Sequence, residues 1–483
     1  MGITFDKPIY GIGGGPVTPM RFEADLYDCE VYGEIPRQLN GCYYKCGPDH
    51  NYPTFLDHDI QINGDGMVYM FRFDNGHVDY KCRWVQTDRF KLESEHRERL
   101  FGHYRNRYTD KPPAQGVDRN IANTHVVWQG NRLLTLREDS PPVEVDPWTL
   151  ETIGTWHYDG ALEGKTMSAH PKFDPETGEM WTFGYFAKGE PGLDMVLYVI
   201  DKAGTLTRQE WFKAPYPGLI HDFAVSREHV IFPIMPLTAS DAQIKAGRPF
   251  WLQDLSKPTA VGVMPRSGTV KDMRWFTRHG CFGAHIMNAF TEGDKVYADM
   301  CISGESTFAF FPNIDGSAQD RSKMIPRLTR MTYDFGSARE EFDATILHPF
   351  MTEMPKVDDR YQMARNRYGF MLGADLASRG NGPPSTWSYR IDHDTGEMTG
   401  WNPGPGSGAS EPFFIPRSES SPEGDGFVIT VVTRRLEGRS DLVVIDTENY
   451  AEPVATVKLP FILQGAFHGT WVPADKLPPA PEV

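Results

Sequence analysis

Phe173-Asp174-Pro175-Glu176-Thr177-Gly178-Glu179 reads as a tight turn: an apolar residue, then Asp, then small or charged residues. The same phrase returns at Val145-Asp146-Pro147-Trp148-Thr149-Leu150-Glu151-Thr152, Ile200-Asp201-Lys202-Ala203-Gly204, Ile391-Asp392-His393-Asp394-Thr395-Gly396-Glu397 and Ile445-Asp446-Thr447-Glu448-Asn449. Asp offers its carboxylate to the turn's own N–H groups, and Gly tolerates the positive φ that hairpin turns require. Around these phrases, apolar and polar residues alternate. The alternating runs are Met67 to Phe73, His77 to Val85, Arg132 to Leu136, Met195 to Ile200, Val296 to Met300, Trp387 to Ile391 and Phe427 to Val432. A period of two is strand patterning. Hairpins recurring at such intervals predict an all-β chain of radially repeated sheets, a β-propeller. A pair of large β-sandwiches fits the strands as well, but not the histidines described below.

Helical spacing is confined to Arg89–Leu100 and a shorter stretch at Ser240–Ala246, both expected as insertions on one face. The Pro/Gly-rich segment Asn402 to Ser410 reads as an ordered loop, since strands resume on both sides. The tail from Pro473 to Val483 reads as an extended surface arm. No boundary interrupts residues 1–483, so one propeller domain is expected.

The bulk composition narrows the function. A formal net charge of −16 argues against nucleic acid and anionic membranes as partners. None of the six cysteines forms a CxxC pair, no N-terminal apolar core has signal-peptide length, and no run reaches the roughly 18–20 apolar residues of a spanning helix. These features predict a reduced, cytoplasmic protein without stable membrane insertion. A homodimer is left open.

Four histidines stand in short strand-end or turn contexts: Ser168-Ala169-His170-Pro171-Lys172, Leu219-Ile220-His221-Asp222-Phe223, Gly283-Ala284-His285-Ile286-Met287 and Ala466-Phe467-His468-Gly469-Thr470-Trp471. Their separations of 51, 64 and 183 residues exclude a ligand pair on one helix. To share a metal, four distant pieces of chain must converge, which a closed radial fold permits. Neutral imidazoles suit iron, zinc, copper or nickel. Any one such histidine is more often an ordinary core residue. The other eleven, including His50, His58, His96, His103 and His393, sit in polar or turn contexts and are expected at the surface.

The wording around the four histidines resembles the carotenoid cleavage oxygenase family, and within it the bacterial lignostilbene dioxygenases and isoeugenol-cleaving oxygenases. The resemblance runs from about residue 22 to residue 471. It implies a seven-bladed β-propeller with a loop and short-helix cap over a central iron site. The cofactor implied is one Fe(II) on His170, His221, His285 and His468, with dioxygen as co-substrate. Three glutamates match the family's carboxylates behind the imidazoles: Glu138, Glu353 and Glu411. Thr124 matches a threonine whose methyl screens one open position at the metal. The activity implied is scission of the C=C bond of a hydroxylated stilbene or phenylpropenoid to aromatic aldehydes. An apocarotenoid substrate is the alternative.

For the substrate, Tyr104 matches the family's phenol-holding tyrosine. The lysine that accompanies it in relatives is Arg137 here, a permanent forked cation that takes carboxylate bidentately and can also take a phenolate. A simple salt bridge from Arg137 to Glu138 or Asp139 is the plainer alternative. Phe282 and Phe310, the latter in the cluster Phe308, Phe310 and Phe311, are candidate walls for a flat substrate; core packing is equally consistent with them.

Overall fold

A computed structural model describes residues 2–12, 14–374, 386–464 and 466–481. The turn phrases are hairpin corners. Asp146 Oδ1 accepts from the N–H groups of Trp148 and Thr149 at 2.9 and 2.7 Å, and Asp201 Oδ1 from those of Ala203 and Thr205, both at 2.9 Å. Asp174, Asp392 and Asp446 cap their turns in the same way. Each carboxylate replaces water on N–H groups that the turn would otherwise leave unpaired.

Seven antiparallel sheets follow one another along the chain. The strand nearest the axis opens each blade from the second onward: His125–Gln129, Lys172–Phe173, Gly218–Leu219 with Ala224–Val225, Phe282–Glu292, Met351–Val357, and Ser407–Ala409 with Phe413–Pro416. The first blade is assembled from both ends of the sequence. Its strands run Ala24–Leu26, His77–Trp84, Asp65–Asp74, Gly41–Asp49 and, innermost, Gly469–Pro473. Glu30–Gly33 adds an outer strand to the seventh blade by pairing with Pro453–Leu459. The ring is therefore closed twice, once by each end, and closure covers edges that would otherwise invite pairing with other chains. A small sheet of Ile9–Tyr10, Pro16–Val17 and Asp59–Ile60 joins the loops of one face.

The expected helices are Asp88–His96 and Asp241–Lys245, capped by Thr87 and Ser240. The first is shorter than the charged pattern implied, ending at Arg97 in the left-handed conformation. Two of its charges are not solvated, although Asp88, Lys91 and Glu95 are exposed. Arg89 and Glu93 are buried with Arg99, Asp59 and Asp65 in one ionic cluster. Two further expectations are corrected. Ser407–Ala409, within the expected loop, is the first half of an inner strand. The tail is not simply extended: it makes a turn of 3-10 helix at Ala474–Lys476, buries Leu477, and accepts from Trp148 Nε1 at Pro478 O, 3.0 Å away. Among the described residues, the six cysteines are all buried and unpaired, and no helix is long and apolar enough to cross a membrane.

Candidate metal centre and substrate cavity

The inner strands deliver the four histidines to one point. His170 stands two residues before the inner strand of the third blade, His221 lies between the two halves of the fourth, His285 is within the fifth, and His468 precedes the closing strand of the first. One nitrogen from each lies within 4.8 Å of the others. The Nε2 atoms of His170 and His221, and of His221 and His285, are both 3.2 Å apart. At a metal–nitrogen distance of about 2.1 Å, neighbouring ligands stand about 3 Å apart, so this donor set fits a single transition-metal ion. His170 and His468 are held well below the ordinary imidazole range by burial and by the neighbouring imidazoles, which keeps their lone pairs available.

The glutamates stand behind the imidazoles, but not equally. Glu353 Oε2 is 2.6 Å from His285 Nδ1, and Glu411 Oε1 is 2.8 Å from His468 Nδ1. Glu138 Oε2 is 3.7 Å from His221 Nδ1, because it also accepts from the Tyr185 hydroxyl at 2.9 Å. Tyr185 in turn accepts from Arg105, whose guanidinium pairs with Asp139 and lies 4.3 Å from the centre of the Phe250 ring. Burial alone would raise Glu138; His221, Arg105 and Arg137 outweigh it and hold the carboxyl at about 2. A strained backbone supports Glu353. Met354 has a φ of 51°, and its N–H donates to Glu353 Oε2 at 2.7 Å.

Two contributors were not singled out from the sequence. Asp222 links the surroundings of three histidines, accepting from Lys172 Nζ and from Ile286 N, each at 2.8 Å. His125, expected at the surface, is only 7% exposed and lies beside His170 and His468, with ring centres 6.0 and 5.3 Å away. Burial pushes it down to about 4. The signal that could have found it is its place directly before the apolar run Val126-Val127-Trp128, which reads as a buried strand. His50 is also corrected: it follows a nine-residue strand buried throughout, is 1% exposed, and burial pushes it down to about 4. His58 and His96 are exposed; His103 and His393 are half-buried.

A narrow cavity of about 60 Å³ opens beside His221, His285 and His468, walled by Tyr104, Thr124, Arg137, Met354, Phe308 and Phe311 among others. Tyr104 and Phe311 also wall an outer chamber of about 680 Å³, which Phe310 lines. Phe282 lies in a separate small cavity with Phe308. It is not among the residues that wall the cavity beside His221, His285 and His468. Arg137 donates from Nη1 to Asn123 Oδ1 at 2.8 Å and from Nε to Asp139 Oδ1 at 3.2 Å. Its buried Nη2 has no hydrogen-bond partner.

A family model described as retinal pigment epithelial membrane protein matches residues 17–473. The isoeugenol monooxygenase of Pseudomonas nitroreducens is 43% identical over 95% of this chain and 97% of its own length. Lignostilbene-alpha,beta-dioxygenase isozyme III of Sphingomonas paucimobilis is 40% identical over 96% of this chain and 97% of its own. The crystal structure of Pseudomonas brassicacearum lignostilbene dioxygenase superposes with a TM-score of 0.91 at 38% identity, covering 94% of this chain and 97% of that one. A variant of the Synechocystis apocarotenoid oxygenase superposes at 0.81 with 27% identity, over 94% and 97% of the two chains. A seven-bladed ring closed by both ends, four histidines converging on its axis and full-length likeness agree: this chain belongs to the carotenoid oxygenase family, that of the retinal pigment epithelial membrane protein.

Proposed function

We propose that this chain is a non-haem Fe(II) dioxygenase that cleaves the C=C bond of a 4-hydroxylated stilbene or phenylpropenoid, giving two carbonyl products from the alkene and O₂. His170, His221, His285 and His468 would hold the iron, and Glu353, Glu411 and, more loosely, Glu138 would orient three of the imidazoles. Iron bound there would supply the dioxygen chemistry. The rest is the work of the protein: placing the alkene, excluding water and holding the ring that carries it.

The observation that carries the reading is the free Nη2–H of Arg137 in the wall of a narrow aromatic cavity beside His221. A buried cationic donor without an acceptor is costly, and a substrate oxygen removes the cost. Asn123 and Asp139 fix the rest of the guanidinium, so the free N–H keeps one direction. Its carbon lies 5.0 Å from the centre of the Tyr104 ring, which places the tyrosine on the same part of the wall. A phenol oxygen held at Arg137 is stabilised as phenolate and donates electron density along the conjugated chain to the alkene. Thr124, its hydroxyl engaged by Asn123 Oδ1 at 3.1 Å, would present its methyl to the cavity. Phe308 and Phe311 would stack on the substrate, and Phe310 would line its approach.

The test combines anaerobic metal analysis with O₂ uptake on 4-hydroxystilbene, 4-carboxystilbene and unsubstituted stilbene. About one iron per chain, uptake with the hydroxylated compound and two aldehyde products are expected. Arg137→Leu should retain iron and lose most of the preference for the para-oxygen. Stoichiometric zinc without uptake would overturn the chemistry, and equal turnover of all three stilbenes would overturn the role of Arg137.

A further inference from the structure

Around the axis, the innermost positions of the seven blades carry His468, His125, His170, His221, His285, Glu353 and Glu411 in that order. Four of these imidazoles converge on one point, and the two carboxylates each hold one of them. His125, the contribution of the second blade, does neither. It sits between His468 and His170, whose blades, the first and the third, are not neighbours.

We propose that His125 is a positioning residue, a strut that sets the separation of His170 and His468. Its Nδ1 lies 2.7 Å from the carbonyl of Ala169, which precedes His170, and donates to it. The neutral ring then carries no hydrogen on Nε2, which stands 3.3 Å from the carbonyl of Gly469, the residue after His468, in contact but without a hydrogen bond. The two carbonyls are 44 and 344 residues away in sequence, so one side chain of the second blade spans from the closing strand of the first to the chain entering the third. Asp222 already connects the surroundings of His170, His221 and His285 through Lys172 and Ile286 N. His468 arrives from the far end of the chain and lies outside that connection. His125 bridges His468 and His170 by packing: it is hydrogen-bonded beside His170, and its ring centre lies 5.3 Å from that of His468.

Two plainer roles fit less well. As a fifth ligand, His125 would have to turn a nitrogen towards the converging set, yet both are aimed at backbone carbonyls and neither belongs to that set. As mere filling, it would be replaceable by an apolar ring, but such a ring withdraws the donor from Ala169 O inside the protein, at the cost of a buried hydrogen bond.

The inference rests on the reading that the four histidines hold iron. The test uses the full chain, reconstituted anaerobically, with Fe(II) affinity measured by competition against a chromophoric chelator. His125→Phe keeps a ring and loses the donor; His125→Asn keeps an N–H at the reach of Nδ1. Expected are a roughly 10–100-fold loss of affinity for His125→Phe and recovery to within about threefold of wild type for His125→Asn. The electron paramagnetic resonance spectrum of the nitric oxide adduct should change in the first variant and return in the second. Wild-type affinity in His125→Phe, or equal weakness in both variants, overturns the inference and leaves the metal reading intact. A wild-type chain that binds no iron overturns both. Should His125→Phe not fold, His125→Asn decides alone: affinity near wild type supports the strut, and a loss above about tenfold overturns it.

Discussion

A carboxylate 2.6 Å from an imidazole and one 3.7 Å away do not hold their partners equally, and the three glutamates can be ranked on this ground. Replacing the partner behind a ligating histidine typically costs about 10–100-fold in metal affinity or activity. Glu353→Gln and Glu411→Gln should fall in that range and Glu138→Gln well below it, in chelator competition for Fe(II). Glu138→Gln equal to the other two would show that the 3.7 Å separation does not describe the metal-loaded site. Tyr185→Phe removes the donor that shares Glu138 and should bring His221 under tighter control, read as a shifted spectrum of the nitric oxide adduct without loss of iron. The four histidines and three glutamates were legible because their local contexts are distinctive. His125 was not. Its role depends on carbonyls 44 and 344 residues distant, and nothing in Asn123-Thr124-His125-Val126 announces either.

At the level of the strand, Gly469–Pro473 carries the most consequence per residue. Gly469 pairs with Lys45, and a Cβ on it would stand 2.2 Å from the Tyr44 carbonyl oxygen. Gly469→Ala must therefore push the closing strand outward, at about 1–3 kcal/mol, and displace His468 with it. Thermal denaturation and iron stoichiometry should fall together; unchanged iron content would show that His468 is held independently of its strand. Lys45 is fully buried and donates to Phe467 O at 3.0 Å and Tyr43 Oη at 3.2 Å. Burial pushes it down from 10.5 to about 8. Between those values the unfolded chain binds the extra proton, so the burden on the fold is full below about pH 8 and disappears as pH rises towards 10.5. Lys45→Met should remove this contribution. The stability difference between wild type and variant should shrink by up to about 3 kcal/mol across that window in urea titrations, and a pH-independent difference would refute it. The hairpins were readable from their Asp turns and alternation. The half-strands Gly218–Leu219 and Ala224–Val225 were not, since two residues carry no period.

Over the whole molecule, closure joins what the sequence keeps farthest apart. The outer strand Glu30–Gly33 and the inner strand Gly469–Pro473 belong to different blades, and their alternation looks like that of any other strand, so periodicity alone could not assign them. The tail beyond Pro473 reinforces the junction without entering the site. Deleting residues 474–483 removes the buried Leu477 and the Trp148–Pro478 bond, and should cost about 2–4 kcal/mol in thermal denaturation while leaving iron content unchanged. Loss of iron on that deletion would mean that the tail holds the closing strand, and not merely its end.

The placement of His468 also sets an order of events in the cell. His285 leaves the ribosome 183 residues before it, which at about 5–20 residues per second is on the order of 10–40 s of synthesis. Throughout that interval the nascent chain owns three of its four imidazoles and an open ring. A metal caught early would meet an unfinished site. Translation must pass His468 before the pocket can discriminate between ions, so loading follows closure, and a prematurely terminated product has no complete site in which to retain iron.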